Sequence, residues 1–339
     1  MRWPSSRGTG TADLCRALTE PRWLPKLSAA RWNGVILAAR EARLLGALWH
    51  RAQQAGVEHS LPPAVSRHLR GGALVAARNA EALAWELEQL ECGVLARLEP
   101  PVALKGAAYL IAGLPNAAGR LSVDIDLLFT PRVVEQAEEL LFFAGWRGTH
   151  HDAYDQRYYR EWMHELPPLE HIKRGTTLDL HHNILPETFC VHIDPSRLLA
   201  AAETVPGWRL RVLEPPHLVL HSAAHLFSET DWSGSLRDVY DLHCLLEHYS
   251  STQGEAFWHE LLDESEELGL GWMLAAAVVC ARTWLGTTVP REVTERLADY
   301  TPHWPLRWFQ RTLIREGVRA QADGAYFRHG VAHRLLFLR

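Results

Sequence analysis

The chain has 339 residues, 47% of them hydrophobic and 22% charged, so it can bury a sizeable core and has ordinary globular composition. Its 23 glycines and 19 prolines exclude collagen-like and low-complexity classes, and a formal charge of −5 argues against a protein that coats nucleic acid or anionic membrane through a general basic field. The five cysteines (Cys15, Cys92, Cys190, Cys244 and Cys280) form no CxxC pair and are odd in number, the usage of reduced thiols rather than of a disulfide framework. The N-terminal segment carries arginines but no apolar run of a signal peptide. The longest apolar stretch, Met273–Ala281, is far shorter than the ~20 residues of a membrane span. These features together read as a cytoplasmic protein with no membrane partner. Three lysines (Lys26, Lys105 and Lys173) stand against 32 arginines, a bias of codon usage that still draws attention to any lysine inside a motif.

Residues 1–100 read as helical. Leu83, Leu87, Leu90, Val94 and Leu98 form an apolar stripe at helical spacing, which predicts one helix between Pro62-Pro63 and Pro100-Pro101. Trp32–Ala55 carries a similar pattern. The character changes at Pro101. Val102–Lys105 is a short apolar run, followed by Gly106 and a helix-like stretch, Ala107–Ala112. Ser122–Phe129 reads as a strand, and Pro131 opens a helix through Ala144 that Gly145 stops. An extended pair follows, Leu166–Ile172 and Thr176–Ile184, around Lys173-Arg174-Gly175. From Pro186 onward Glu214–Phe227, Gly234–Tyr249, Glu255–Leu285 and Val289–Gly317 are helix-dominated. The predicted fold is α+β: a small mixed sheet in a core at 101–185, between an N-terminal helical region at 1–100 and a C-terminal one at 186–339.

Ser122–Phe129 is the most informative segment. Residues two apart on a strand share a face, so Asp124 and Asp126 point one way, while Val123, Ile125 and Leu127 point toward a core. Adjacent carboxylates repel unless a cation sits between them, and a hard divalent ion suits oxygen ligands. Alone, Asp-x-Asp equally describes a solvated edge strand. Thr177–His181 alternates in the same way and puts Asp179 and His181 on one face. A third carboxylate on a neighbouring strand completes a platform for two Mg²⁺ ions ~3.5–4 Å apart, suited to in-line phosphoryl or nucleotidyl displacement. Leu104-Lys105-Gly106-Ala107 adds a strand running through glycine into a helix, where backbone N–H groups can cradle phosphate.

The segments LKGAA (Leu104–Ala108), GRLSVDIDLLF (Gly119–Phe129) and LDLHH (Leu178–His182) resemble the nucleotidyltransferase superfamily of DNA polymerase β, and within it the bacterial "uncharacterised nucleotidyltransferase" family. HELPPLEH (His164–His171), HLVLHSAAH (His217–His225) and LRDVYDLHCLL (Leu236–Leu246) also resemble later segments of that family, so the likeness spans about residues 60–250. Two features depart from the superfamily pattern: Lys105-Gly106 replaces its glycine pair, and the interval from Gly106 to Asp124 is longer than in minimal members. The resemblance implies that Asp124 and Asp126 bind both ions and that Asp179 binds the one that activates the acceptor. It also implies that Gly106 positions the triphosphate, with Ser122 on the nucleotide side; Lys105 and Arg120 are nucleotide-side candidates that could neutralise charge on the leaving pyrophosphate, or could instead be solvated charges.

The implied activity is a Mg²⁺-dependent (or Mn²⁺-dependent) transfer of a nucleoside monophosphate from a nucleoside triphosphate, with release of pyrophosphate. The acceptor is a small molecule, a peptide or a protein rather than long nucleic acid, given the charge and the lack of a basic stripe. Two alternatives stand beside it: the same fold transferring another phosphate-linked group, for instance from a nucleotide sugar, and a non-catalytic nucleotide-binding module. His181 could orient the acceptor or take its proton, or simply donate to a neighbouring carbonyl. His164, Glu170 and His171 lie on the preceding strand, where a slip of one residue exchanges faces. His217, His221 and His225 recur at zinc-ligand spacing but read better as a packed helix face. Arg237 and Asp241, four apart, read as a helix pair, with nucleotide or acceptor contact by Arg237 as the alternative.

Overall fold

The computed structural model, which describes residues 9–150, 152–228 and 235–300, begins with helices α1 (Thr9–Thr19), α2 (Ala29–Glu41), α3 (Leu45–Gln54) and α4 (Pro63–Cys92). α1 packs along α2, and α3 along α4. Ser28 caps α2 by accepting from the backbone N–H of Arg31. The leucine stripe of α4 is buried at Leu83, Leu87 and Leu90. The helix stops at Gly93, well short of Pro100-Pro101, because glycine is a poor helix residue. Val94 and Leu98 are still buried, beside the 3-10 turn Leu95–Arg97 rather than on α4.

Seven strands follow: β1 (Val102–Ala103), β2 (Asp124–Leu128), β3 (Trp146–Gly148), β4 (Leu169–His171), β5 (Thr177–His181), β6 (Glu203–Thr204) and β7 (Arg211–Val212). They form one sheet in the order β3-β4-β5-β2-β1-β7-β6. β2 runs parallel to β5 and β1 parallel to β7, while the other neighbours are antiparallel, so the sheet is mixed. With helical regions on either side of it in the chain, this is the expected α+β class. Two of the short strands, β6 and β7, come from 203–212, a stretch whose sequence reads as helical. β2 sits in mid-sheet and is buried from Ile125 to Leu128. Val123 departs from expectation: it precedes the strand and is 60% exposed, whereas Ile125 and Leu127 do enter the core.

The helices that complete the chain are α5 (Lys105–Ile111), α6 (Val134–Phe143), α7 (Ala153–Trp162), α8 (Pro195–Ala201), α9 (Pro215–Ser228), α10 (Ser235–Gln253), α11 (Glu255–Glu267), α12 (Gly271–Leu285) and α13 (Arg291–Ala298). α7 carries no buried residue, so it leaves no apolar period in the sequence. The run expected at Glu255–Leu285 breaks at Leu268-Gly269-Leu270, where Gly269 has φ +67°. Residues 301–317 of the last expected helix lie outside the described residues. α9, almost wholly buried, packs against α10, α11 and α12, and α12 returns to α1. The β4–β5 turn is pinned to α4 by Arg174, whose guanidinium donates to buried Glu86 at 2.5–3.1 Å.

α3 meets the loop before β2 backbone to backbone. A Cβ built on Gly46 would stand 3.0 Å from the Gly119 Cα and closer still to its carbonyl oxygen, and Gly119 itself has φ +75°. Both the close approach and the left-handed backbone exclude a side chain there. Gly119→Ala should therefore lower the unfolding free energy by about 2 kcal/mol or more, measured by denaturant titration.

Candidate active site

The parallel register of β2 and β5 sets Asp126 directly beside Asp179, with Asp124 opposite Thr177. Side chains of one parity share a face, so the three carboxylates converge, each offering an oxygen within 4.8 Å of the others. β1 lies on the other side of β2, and the Leu104 N–H donates to the Asp126 carbonyl at 3.0 Å. The chain then turns into α5 at Lys105, whose φ of +44° is in the left-handed region that a lysine rarely adopts. Its ammonium reaches the Asp126 carboxylate, donating to Oδ1 at 2.7 Å. His181, on the same side of β5 as Asp179, places Nε2 3.0 Å from that oxygen and 3.4 Å from Glu165 Oε2.

Charge sets the protonation of this group. Burial works against ionised Asp126, which is 1% exposed, but the Lys105 charge and the His181 hydrogen bond outweigh it and hold the carboxyl well below its usual range. Burial likewise opposes the charge on Lys105, and the carboxylates of Asp126 and Asp124 raise its pKa in spite of it. His181 is raised too, its burial overcome by the bond to Asp126 and the charge of Glu165. Asp124 and Asp179 lack such partners. Burial and the Asp126 charge push Asp124 up, and burial with Asp126 and Glu165 pushes Asp179 up to about 8. Asp179 Oδ1 is buried without a hydrogen-bond partner.

Beside the carboxylates, the loop into β2 is held by a second polar frame. Arg120 donates through Nε to Asp241 of α10 at 3.0 Å and through Nη1 to Ser122 Oγ at 3.0 Å, with its guanidinium 5.4 Å from the Tyr109 ring. Asn79 of α4 bonds the Ser122 backbone on both sides, accepting from N–H at 2.8 Å and donating to the carbonyl at 2.9 Å. Gly106 is the second residue of α5 and fits against this frame. A Cβ there would collide with Ser122 Oγ and come within 2.6 Å of Arg120 Nη1. Arg120 and Ser122 thus bond each other and the helices around them.

The histidines separate. His164 precedes Glu165, which bridges to His181, and its ring centroid lies 5.3 Å from that of His181. Glu170 is exposed on β4, and His171 packs edge-on against Trp146 at 5.3 Å. His217 pairs with Glu264 at 2.8 Å, beside Glu214. His221 is buried with its pKa lowered to about 3, by burial first and then by Lys105 and His181. Among the described residues the groups able to share an ion do not include His217, His221 and His225 together. Arg237 pairs with Asp238 at 2.9 Å, not with Asp241, which Arg120 takes. Sequence reasoning missed Asn79 and Glu165. Nothing in the α4 pattern marks Asn79, whereas Glu165 directly follows His164 in a segment that does carry a signal.

A platform of strand-borne carboxylates beside a helix start defines a class of phosphoryl-group and nucleotidyl-group transferases. The chain belongs to the family described as "Uncharacterised nucleotidyltransferase", whose model matches residues 28–286, more than half of the chain. It is therefore a transferase of phosphorus-containing groups with a nucleotide substrate. No curated protein and no solved structure matches it. Among the described residues no helix is long and apolar enough to cross a membrane.

The three-carboxylate group fits a hard divalent ion: the donors are all oxygens, and the orphaned Asp179 Oδ1 is an acceptor that a cation would satisfy. Without such an ion Asp126 and Asp179 should respond differently to neutralisation. Asp126→Asn strands the Lys105 ammonium and should cost about 3–5 kcal/mol in chelator-treated protein. Asp179→Asn replaces a carboxyl that the fold keeps protonated with a neutral isostere, and should leave stability unchanged or raise it at neutral pH. The pH dependence has a defined sign. Between the ordinary carboxyl value of 3.8 and about 8, the folded chain keeps a proton on Asp179 that the unfolded chain has released. Asp179 therefore makes stability fall as pH rises across that window, and Asp179→Asn should flatten the fall in unfolding experiments.

Proposed function

We propose that this nucleotidyltransferase moves a nucleoside monophosphate from a nucleoside triphosphate to a small-molecule, peptide or protein acceptor, with Mg²⁺ or Mn²⁺ as the metal. The observation that carries this is the convergence of Asp124, Asp126 and Asp179 on adjacent parallel strands at the start of α5. A divalent ion held by these residues would polarise the α-phosphate as a Lewis acid. An oxygen or nitrogen of the acceptor bonds to the α-phosphorus, the bond to the β-phosphate bridging oxygen breaks, and pyrophosphate leaves. Lys105 supplies a fixed positive charge beside the developing negative charge. Glu165, with 19% of its side chain exposed, is the carboxylate able to take the acceptor's proton. His181 is 1% exposed with Nε2 on Asp126, which suits positioning of that carboxylate rather than contact with an acceptor. The charge of −5 and the lack of a basic stripe favour a compact acceptor over long nucleic acid.

Two measurements test this. Nucleoside triphosphates should raise the melting temperature only when Mg²⁺ is present. Label carried on the α-phosphate should pass to an acceptor in a cell extract, whereas γ-phosphate label should not. Asp124→Asn should cut that transfer by at least about 100-fold, since the ion's polarising effect amounts to several kcal/mol. Movement of the γ-label would make the chain a kinase instead, and triphosphate binding without transfer of either label would leave a binding module.

A further inference from the structure

The number of oxygens left on Asp126 limits how many ions this platform can hold. A pair of ions ~3.5–4 Å apart shares bridging ligands, and a carboxylate that gives one oxygen to each is the bridge these strands could supply. Asp126 is the central candidate, since it lies beside Asp179 in register and two residues from Asp124. Yet its Oδ1 already takes two donors, the Lys105 ammonium at 2.7 Å and His181 Nε2 at 3.0 Å. Only Oδ2 remains for an ion. The ammonium is itself a half-buried positive charge, with 17% of the lysine side chain exposed, on the very carboxylate that would bridge. A second divalent ion on that oxygen would meet the ammonium at contact distance and be repelled.

The ammonium is held on Asp126 by a hydrogen bond, from a residue placed where the chain enters α5. Lys105 sits at φ +44°, a strained conformation for a residue with a Cβ, between the Leu104 N–H bonded to Asp126 and the first turn of α5. We infer that Lys105 is a built-in cation standing in place of a second ion, so that the platform works with one divalent ion and one ammonium. This rests on the reading of the three carboxylates as an ion site. It goes beyond that reading by setting the ion count and by giving Lys105 a place on the carboxylate side rather than on the triphosphate alone.

Mn²⁺ titrated into the full chain and followed by electron paramagnetic resonance tests it. Wild type should saturate at one Mn²⁺ per chain with the spectrum of an isolated ion. Lys105→Met, which keeps the volume and removes the charge, should admit a second, giving two per chain and an exchange-coupled spectrum. Lys105→Arg keeps the charge and should stay at one. Circular dichroism establishes that the variants fold; if Lys105→Met does not, the wild-type and Lys105→Arg counts and spectra decide. Two coupled ions in wild type, or a single ion in folded Lys105→Met, would overturn the inference while leaving the carboxylates an ion site. Absence of bound Mn²⁺ from wild type overturns the ion site itself, and this inference with it.

Discussion

The rest of the site depends on one buried carboxylate. Asp126 lies in the middle strand of the sheet, out of water, and an isolated charge there would be prohibitively costly. Lys105 and His181 make it tolerable by donating to the same oxygen. Burial pushes Asp124 and Asp179 toward the protonated form, and the charge of the ionised Asp126 adds to it.

The helical flanks hold this site rather than merely covering it. Arg120 ties the loop before β2 to Asp241 on α10, and Asn79 ties Ser122 of the same loop to α4. Gly119 lets that loop lie against α3, and Gly106 lets α5 lie against Ser122 and Arg120. Arg174 locks the β4–β5 turn to α4 through Glu86. The match to the nucleotidyltransferase family begins at Ser28, the cap of α2, and ends at Gly286, the cap of α12. Most of both flanks, from α2 on one side to α12 on the other, therefore falls within the matched unit, whereas α1 and α13 lie outside it.

What was legible in the sequence is what periodicity and spacing encode locally. Strand parity put Asp124 and Asp126 on one face, and alternation isolated Asp179 on a second strand. The leucine stripe revealed α4, and LKGAA marked the strand-to-helix passage. Elements without a local period were not legible. α7 buries nothing, and β6 and β7 are two-residue strands defined only by their neighbours in the sheet. Val123 was misassigned because parity says nothing of where a strand begins.

The sequence by itself determined the identity of the chemical groups: three carboxylates, a lysine before a glycine, and an arginine two residues before Ser122. Only the tertiary structure decided which of them meet. The parallel register of β2 and β5 brought Asp126 beside Asp179, a pairing that no local pattern specifies. The start of α5 beside β2 brought the Lys105 ammonium to Asp126, and α10 brought Asp241 to Arg120 across 121 residues. The physical reason is range. Side-chain parity and helical period act over a few residues, whereas hydrogen bonds and charges act through space, between segments that become neighbours when the core closes.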